Sequence, residues 1–521
     1  MSISVRALKS WAFLATVLAV NLLAVLYFQF SRNVYFWDNA GYWQLSAYLS
    51  DLVFTRPLFF IRQVLSSVLT QDYNYIPATP IAIFMAIFGT SRISFTLAVV
   101  NLYLVPLYAL IRMVTTTRRY IITVLMLPML PFLAIIGFLD VGGVALAFGA
   151  MVLYLHEWPK HGNKFAVLAG FLLFGVTVFR RWFIFFTIAF CVAVLVHAIY
   201  TKKIKRMLWG MLGFGVPMLI FHRFVFNILL GANYAYIYSA YRFPLSVDLL
   251  FTLFYFGLIP LVMIFACIRR KNLTALFGAL VCVLTYPLFL LIQSFGQQHF
   301  LLFAAPLALI IVGTEEIRQL KRAHIALALA IVTFLSPFVP QARFWHPRDI
   351  DRVSIFPAFN PYPGVRQDAE ALMELANFVI DLEGPTVVLA SSFVLNPDLL
   401  NNAIPSLNAR APFVGIDNLL WIQQVDRRDG VPYSILEADY VITTVPTALH
   451  LAPDEQLVVS MPNEAMLADT PFSAAFRRLD RTFQLQGDLT VYVFERTRPN
   501  TAEEIDWLFD SIRAAWVIRD S

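Results

Sequence analysis

Asp38 is the acidic residue of this sequence best placed to act as a base. It stands in an aromatic stretch, residues 35–43, directly after a 20-residue apolar run. Partial burial among aromatic rings favours the neutral form of a carboxyl group and makes it a better proton acceptor. Asp38 is therefore a candidate general base. An aromatic interfacial belt with Asp38 as a helix cap explains the same residues equally well.

A second acid and two arginines also lie at the ends of apolar runs. Asp140 separates two such runs, where either a catalytic role or capping of a helix explains it. Arg180 and Arg181 are adjacent and fall on the face that has few other basic residues. Permanently charged guanidinium groups suit a phosphate. The alternative is an ion pair with Asp38 or Asp140.

Other polar and aromatic residues on the same face complete the candidate site. His299 follows two glutamines at the start of an apolar helix, a position that suits an anion, although a hydrated interfacial histidine is the alternative. We predict further contacts from the remaining candidates, which an aromatic belt would also explain. Tyr238, Tyr241 and Arg242 lie in one segment of this face, where stacking on a sugar or lining a lipid groove would explain them, and Trp37, Asn39 and Tyr42 flank Asp38.

The composition requires a membrane to position these side chains. Of the 521 residues, 59% are hydrophobic and 14% are charged, and the mean hydropathy is +0.69. Soluble domains carry about 25% charged residues. These values exclude a soluble globular enzyme, a disordered chain and a disulfide-rich scaffold.

The charge is divided between two regions. Residues 1–340 hold 25 Lys and Arg against 8 acids, whereas residues 341–521 hold 14 Arg, no Lys and 25 acids. The net charge of +6 is thus the sum of a basic part and an acidic part. We therefore predict no nucleic-acid partner.

Apolar runs predict about eleven spanning helices in residues 1–340. Their approximate ranges are 11–30, 93–111, 120–139, 141–156, 164–179, 182–200, 207–222, 249–268, 274–292, 300–316 and 323–340. Every lysine falls in a loop on one face, including Lys160 and Lys271, and basic loops mark the cytoplasmic side. This places the N-terminus inside and residues 341–521 outside.

The outer face carries the long segments. Residues 31–92 form an outer loop with interfacial stretches at 42–54 and 58–69, and 77–89 is too short to span. Residues 341–521 begin with a linker of about 25 residues and continue as an α/β domain. Its predicted elements are a helix at 366–382, strands at 386–390, 440–444 and 489–494, and a last helix near 502–516 that begins with a Thr501–Glu504 capping box.

The ordered motifs resemble the GT-C glycosyltransferases, and more narrowly the protein mannosyltransferase and aminoarabinose (lipid A) transferase superfamily. The similarity covers residues 10–320 and rests on Asp38-Asn39, the stretch 75–89 ending in Phe-Gly, Asp140, Arg180-Arg181, and His299-Phe300 with Pro306. Asn39 replaces the family's usual second acid, and Arg180-Arg181 replaces the common lysine. The fold class that follows is a polytopic α-helical membrane protein, GT-C-like, with a C-terminal extracytoplasmic α/β domain.

The resemblance implies an inverting transfer of a sugar from a polyprenyl-phosphate carrier to a lipid, glycan or protein acceptor. Asp38 would be the base, with Asp140 also in the catalytic group. The residues that would bind the donor phosphate are Arg180, Arg181, His299 and Arg242, and those that would contact the sugar or acceptor are Trp37, Asn39, Tyr42, Tyr238 and Tyr241. It further implies contact with membrane lipids and a bacterial inner-membrane location, with lipopolysaccharide as the leading acceptor. We predict no certain cofactor and leave a divalent metal open. The alternative function is a transporter or flippase of a lipid-linked sugar, although neither repeats nor midplane polar residues are evident.

Overall fold

The chain divides into two compact units in the computed structural model, which describes residues 3–30, 34–156, 162–268, 272–313, 320–335, 355–357, 366–408 and 410–520. The first unit comprises Met1–Gln29, Tyr42–Asn233 and Phe243–Tyr362. The second comprises Phe30–Gly41, Tyr234–Arg242 and Pro363–Ser521. Two short segments of the membrane part thus belong to the same unit as the C-terminal region.

The described part of residues 1–340 is built of helices, as the apolar runs predict. The main ones are Trp11–Phe30, Trp37–Thr55, Pro57–Thr70, Thr79–Phe88, Arg92–Met113, Thr117–Met126, Met129–Ile135, Asp140–Leu155, Gly162–Phe179, Ile184–Thr201, Ile204–Ile220, Leu245–Phe256, Leu258–Ala266, Leu273–Leu290, Leu301–Gly313 and Leu320–Leu335. Each of the eleven predicted spans overlaps one of these helices or a bent pair of them, although residues 314–316 and 336–340 of the last two spans lie outside the described residues.

Five of the described helices are long and apolar enough to cross a membrane: Trp11–Gln29, Arg92–Met113, Gly162–Phe179, Arg181–Thr201 and Leu273–Leu290. Three further pairs are bent by 61°, 79° and 83° at a short break, which gives up to eight crossings if each pair is one span. The predicted number of eleven stays a prediction.

Two of the predicted spans, 120–139 and 249–268, are each divided into two helices. Pro128 disfavours helical backbone at Leu127, whose φ and ψ are −121° and 60°, and the helix breaks there. Gly257, with a φ of +75°, separates Leu245–Phe256 from Leu258–Ala266. Both breaks turn an expected span into two short helices.

Close helix packing in the first unit depends on glycine. The Gly162–Phe179 helix packs tightly along Ile204–Ile220. A Cβ atom at Gly213 would collide with the backbone of Val167, whereas one at Gly215 would meet nothing within 4 Å. Small residues that let backbones approach are the usual means of packing helices in membranes.

The second unit contains a four-stranded sheet of order β1-β2-β4-β3. The strands are β1 Thr386–Val388, β2 Tyr440–Val445, β3 Phe476–Leu485 and β4 Leu489–Arg496, and only the β1–β2 pair is parallel. Both faces are covered. Val388 and Ile442 lie in one core with the Ala369–Ile380 helix, and the opposite core includes the helices Leu457–Leu467 and Ala502–Asp520.

Most elements of the predicted α/β domain are present. The Thr501–Glu504 capping box forms, with Glu504 accepting the Thr501 N–H at 2.9 Å. Strand β3 was missed because it lies at the sheet edge and carries charged side chains, which is how edge strands avoid further pairing. Lys160, Arg269–Lys271, Arg318 and the predicted linker 341–365, except 355–357, lie outside the described residues.

The glycine packing predicts opposite effects for two substitutions two residues apart. Gly213→Ala should lower the melting temperature in detergent, because overpacking costs about 1–3 kcal/mol. Gly215→Ala adds the same methyl group to open space and should leave the melting temperature unchanged or raise it slightly. Equal melting temperatures for the two variants, measured by differential scanning fluorimetry, would contradict this account of the packing.

Candidate functional site

The predicted site residues are distributed over both units. Those in the first unit are Tyr42, Asp140, Arg180, Arg181 and His299, and those in the second are Trp37, Asp38, Asn39, Tyr238, Tyr241 and Arg242. Each group is described within its own unit.

Asp140 and Arg180 form a buried ion pair in the first unit. The Arg180 Nε atom lies 2.7 Å from Asp140 Oδ1, with side-chain exposures of 5% and 0%. The Arg180 guanidinium also faces the rings of Tyr42 and Tyr73, at 4.9 and 4.5 Å from their centroids. The ion pair that the sequence left as an alternative for Arg180 is therefore formed, and the pair fixes both side chains.

The residues after Asp140 explain how the pair is enclosed. A Cβ atom at Gly142 would collide with the rings of Phe179 and Tyr103, and one at Gly143 with the ring of Phe183. The two glycines thus let aromatic rings pack against the first turn of the Asp140–Leu155 helix. Such rings exclude water and strengthen the attraction between the two charges.

Arg181 differs from its neighbour because its ion pair is more accessible. It pairs with Asp72, and the side-chain exposures are 13% for Arg181 and 44% for Asp72. Ion pairs in contact with solvent contribute little to stability. Arg181 can therefore exchange its partner for another anion at low cost, whereas Arg180 cannot.

His299 lies in the short helix Gln297–Phe300, and several nitrogen donors surround its side chain. The Gly296 N–H donates to its Nδ1 at 2.9 Å, and the Gln293 side-chain amide lies 3.3 Å from its Nε2. The centroids of the Trp182 and His299 rings are 5.2 Å apart. Trp182 Nε1 and Gln297 Nε2 are both shielded from solvent without an acceptor among the described residues.

Asp248 supports the segment before His299. Asp248 lies in the first turn of the Leu245–Phe256 helix, which has no side-chain cap. Asp248 instead accepts the Ser294 hydroxyl at 3.0 Å and the Phe295 N–H at 3.4 Å. It therefore braces the turn that leads into the short helix with His299.

In the second unit, Trp37 starts the Trp37–Thr55 helix with a φ of +46°. Left-handed backbone costs a bulky L-residue about 1–2 kcal/mol, so surrounding contacts must hold it. The Trp37 indole N–H donates to Gln424 Oε1 at 3.1 Å. The centroid of its ring lies 4.5 Å from the ring centroid of His450 and 5.1 Å from that of Phe393.

Asp38 shares its surroundings with a second carboxylate that sequence reasoning missed. The pKa of Asp398 is raised to about 6, chiefly by burial; Arg428 lowers it, the charge of Asp38 raises it, and a hydrogen bond from the Trp37 backbone N–H lowers it. Asp398 begins a five-residue helix, Pro397–Asn401. Nothing in the sequence around Asp398 indicates this proximity, because the fold alone brings it about.

The predicted aromatic residues lie near the same group. Burial raises the pKa of Tyr241; Arg428 opposes this, whereas Asp429, Tyr238 and Asp38 add to it. The Tyr241 hydroxyl lies 3.3 Å from His450 Nε2. Asn39 is buried, whereas Arg242 is exposed. The structure thus brings Trp37, Asp38, Tyr238 and Tyr241 together within one unit.

No group of three or more histidine, cysteine, aspartate and glutamate side chains that could hold a metal occurs among the residues described. The divalent metal that the sequence left open has no ready three-ligand site in that part of the chain. Arg428 supplies positive charge near Asp398 and Tyr241, and it lowers the pKa of both.

Two solved structures share this arrangement of elements. They are crystal structures of ArnT from Cupriavidus metallidurans, one bound to undecaprenyl phosphate and one in the apo state. The TM-scores are 0.51 and 0.53, with identities of 14% and 15%, over 94% of this chain and 98% of that chain. This chain has the ArnT fold. The likeness confirms, for the fold, the GT-C resemblance seen in the sequence.

No family model matches the sequence, and no curated protein matches it. The similarity to ArnT is therefore one of structure. It extends over the membrane part and the C-terminal region, which in the sequence matched the family only in its layout.

Replacing Asp398 with Asn should change how stability depends on pH. The carboxyl binds its proton more tightly when folded (pKa about 6) than when unfolded (3.8). Its contribution to stability is complete below the unfolded value and is lost as the pH rises through 6. Asp398→Asn stays neutral at every pH. It should raise the free energy of unfolding by about 1–3 kcal/mol at pH 8, and the melting temperature with it. Near pH 4 it should leave both unchanged.

The exposed Asp417 in the same unit provides the control. Asp417→Asn should shift the melting temperature little at any pH. A difference between wild type and Asp398→Asn that stays constant from pH 4 to pH 8 would contradict the assigned pKa.

Proposed function

We propose that this protein is a membrane glycosyltransferase that moves a sugar from a polyprenyl-phosphate carrier to an acceptor. The observation that carries the proposal is the ArnT fold over 94% of the chain, since one of the two matching structures is of ArnT bound to undecaprenyl phosphate. Acid and arginine residues at the positions expected from the sequence resemblance support it further. The proposed location is the bacterial inner membrane, with the C-terminal region periplasmic.

In the proposed reaction Asp38 takes the proton of an acceptor hydroxyl. The oxygen forms a bond to the anomeric carbon of the sugar from the face opposite the phosphate. The bond from that carbon to the phosphate oxygen breaks, and its electron pair leaves with the polyprenyl phosphate. The configuration is inverted, and no nucleotide is consumed.

The donor phosphate is proposed to bind beside Arg181. A phosphate can displace Asp72 from Arg181 because that carboxylate is nearly half exposed. Trp182 Nε1 and Gln297 Nε2 are shielded donors that need acceptors, and phosphate oxygens would provide them. Arg180 adds positive charge while Asp140 holds it in place. Charge that builds on the leaving phosphate would be stabilised by this fixed set of donors.

For the acceptor we propose only a chemical class, a molecule with a free hydroxyl group. Lipopolysaccharide, another envelope glycan and a protein hydroxyl all provide the nucleophile that the reaction needs. A transporter or flippase of the same lipid is the rival function. Binding of undecaprenyl-phosphate sugar without transfer to any acceptor would favour that rival.

Asp38→Asn should abolish transfer, with a loss of at least about 10²–10⁴-fold in kcat, because the acceptor hydroxyl loses its base. Purified protein would be assayed with undecaprenyl-phosphate-linked aminoarabinose, glucose, mannose and galactose, and with lipid A and rough lipopolysaccharide as acceptors. Asp51→Asn, an exposed acid on the same helix, should keep wild-type activity. Transfer by Asp38→Asn at the wild-type rate would rule out Asp38 as the base.

Arg181→Ala should raise the KM for the lipid-linked donor by about tenfold or more, because one charge-assisted contact to phosphate is lost. Asp72→Asn should leave this KM unchanged or lower it, since it removes the competing carboxylate. Arg62→Ala, at an exposed position, serves as the control. Similar donor KM values for Arg181→Ala and Arg62→Ala would argue against phosphate binding by Arg181.

A further inference from the structure

The backbone at Trp37 has a conformation that its own side chain disfavours. Its φ of +46° lies in the left-handed region, which glycine enters freely and tryptophan rarely does. The residue that follows is Asp38, the proposed base. The direction in which the Asp38 side chain leaves the helix is therefore determined by the backbone of Trp37.

Three kinds of contact hold Trp37 within the second unit. The indole N–H donates to Gln424 Oε1, the ring lies against His450 and Phe393, and the backbone N–H donates to the Asp398 carboxylate. The hydrogen bonds and ring contacts oppose rotation of the indole, and the backbone contact fixes the peptide before Asp38. We call Gln424, His450, Phe393 and Asp398 the Trp37 clamp.

The clamp is itself held in place by hydrogen bonds that are buried or partly buried. His450 Nδ1 lies 2.8 Å from the carbonyl oxygen of Ser391, to which it donates, so that Nε2 accepts the hydroxyl of Tyr241. Gln456 Oε1 accepts the His450 N–H at 2.9 Å. The Gln424 side chain also accepts the Ser391 hydroxyl at 2.9 Å. A network satisfied in this way is rigid.

We propose that Trp37 and Gln424 are positioning residues, which hold the left-handed turn that aims the carboxylate of Asp38. On this view the C-terminal region of the chain sets the geometry of the base. The inference rests on the proposed function, because it assumes that Asp38 accepts the proton. A positioning residue acts through Asp38 and not on the reacting atoms, so the effect of changing Trp37 or Gln424 should appear in kcat and hardly in the KM for the donor.

Trp37→Phe tests the proposal because it keeps an aromatic ring and removes the N–H to Gln424. We expect kcat to fall about 30-fold, the size of loss that a small misplacement of a catalytic group produces. The donor KM should stay within about twofold. Trp421→Phe makes the same change at an exposed tryptophan of the same unit and should have no effect. A wild-type kcat for Trp37→Phe would overturn the proposal.

Gln424→Met removes the acceptor from the other side of the same hydrogen bond. It should lower kcat to a similar extent, and the double variant Trp37→Phe, Gln424→Met should be no slower than either single variant. Independent, multiplying losses would show that the two residues do not act through one contact, and would overturn the pairing.

A comparison of Trp37→Gly with Trp37→Ala separates backbone positioning from simple packing. Both variants lose the indole, but glycine still adopts a φ of +46° without strain. We expect Trp37→Gly to retain about fivefold more kcat than Trp37→Ala. Equal rates, or a faster alanine variant, would mean that Trp37 only fills space. Size-exclusion profiles and melting temperatures of all variants would identify any that fail to fold.

Asp38→Asn, assayed beside these variants, separates failure of the inference from failure of the proposed function. If Asp38→Asn abolishes transfer while Trp37→Phe and Gln424→Met are like wild type, only the clamp is wrong. If Asp38→Asn retains transfer, the assignment of the base fails and the clamp fails with it. The same holds if wild type transfers none of the four undecaprenyl-phosphate sugars to lipid A or rough lipopolysaccharide.

Discussion

The buried ion pair between Asp140 and Arg180 is the interaction on which the helical unit depends most. Charges taken out of water are tolerated only when they are paired with good geometry, and losing one partner of such a pair costs about 3–5 kcal/mol. Asp140 stands at the start of one helix, and Arg180 at the break between two others. The pair therefore fixes the ends of three helices relative to one another.

The ion pair also explains why two adjacent arginines have different surroundings. Arg180 is committed to its buried carboxylate, and stacking over Tyr42 and Tyr73 leaves it little freedom. Arg181 begins a short 3₁₀ turn and pairs with the accessible Asp72. One arginine thus contributes structure and a fixed field, while the other has an exchangeable partner. Binding of a ligand phosphate requires both a fixed positive charge and an arginine that can release its carboxylate partner.

The sequence predicts the helices well because apolar runs of this length admit few other structures in a membrane. It also predicts that Asp38, Tyr238 and Tyr241 belong to one functional face. It does not predict Gln424, His450 or Asp398, which come from loops and short elements of the acidic C-terminal region and carry no motif. Their proximity to residue 37 depends on tertiary packing. The breaks at Leu127 and Gly257 were likewise hidden inside continuous apolar runs.

Trp37 shows how a local conflict can mark a functional position. The bulky aromatic side chain of Trp37 disfavours a left-handed backbone, yet the four residues of the Trp37 clamp maintain that backbone. A strained residue persists only where its surroundings determine it more strongly than its own preference does. The strain is placed one residue before an acid whose direction matters for proton transfer. Since glycine at position 37 would satisfy the backbone without any clamp, the presence of tryptophan there is accounted for by what its side chain contacts.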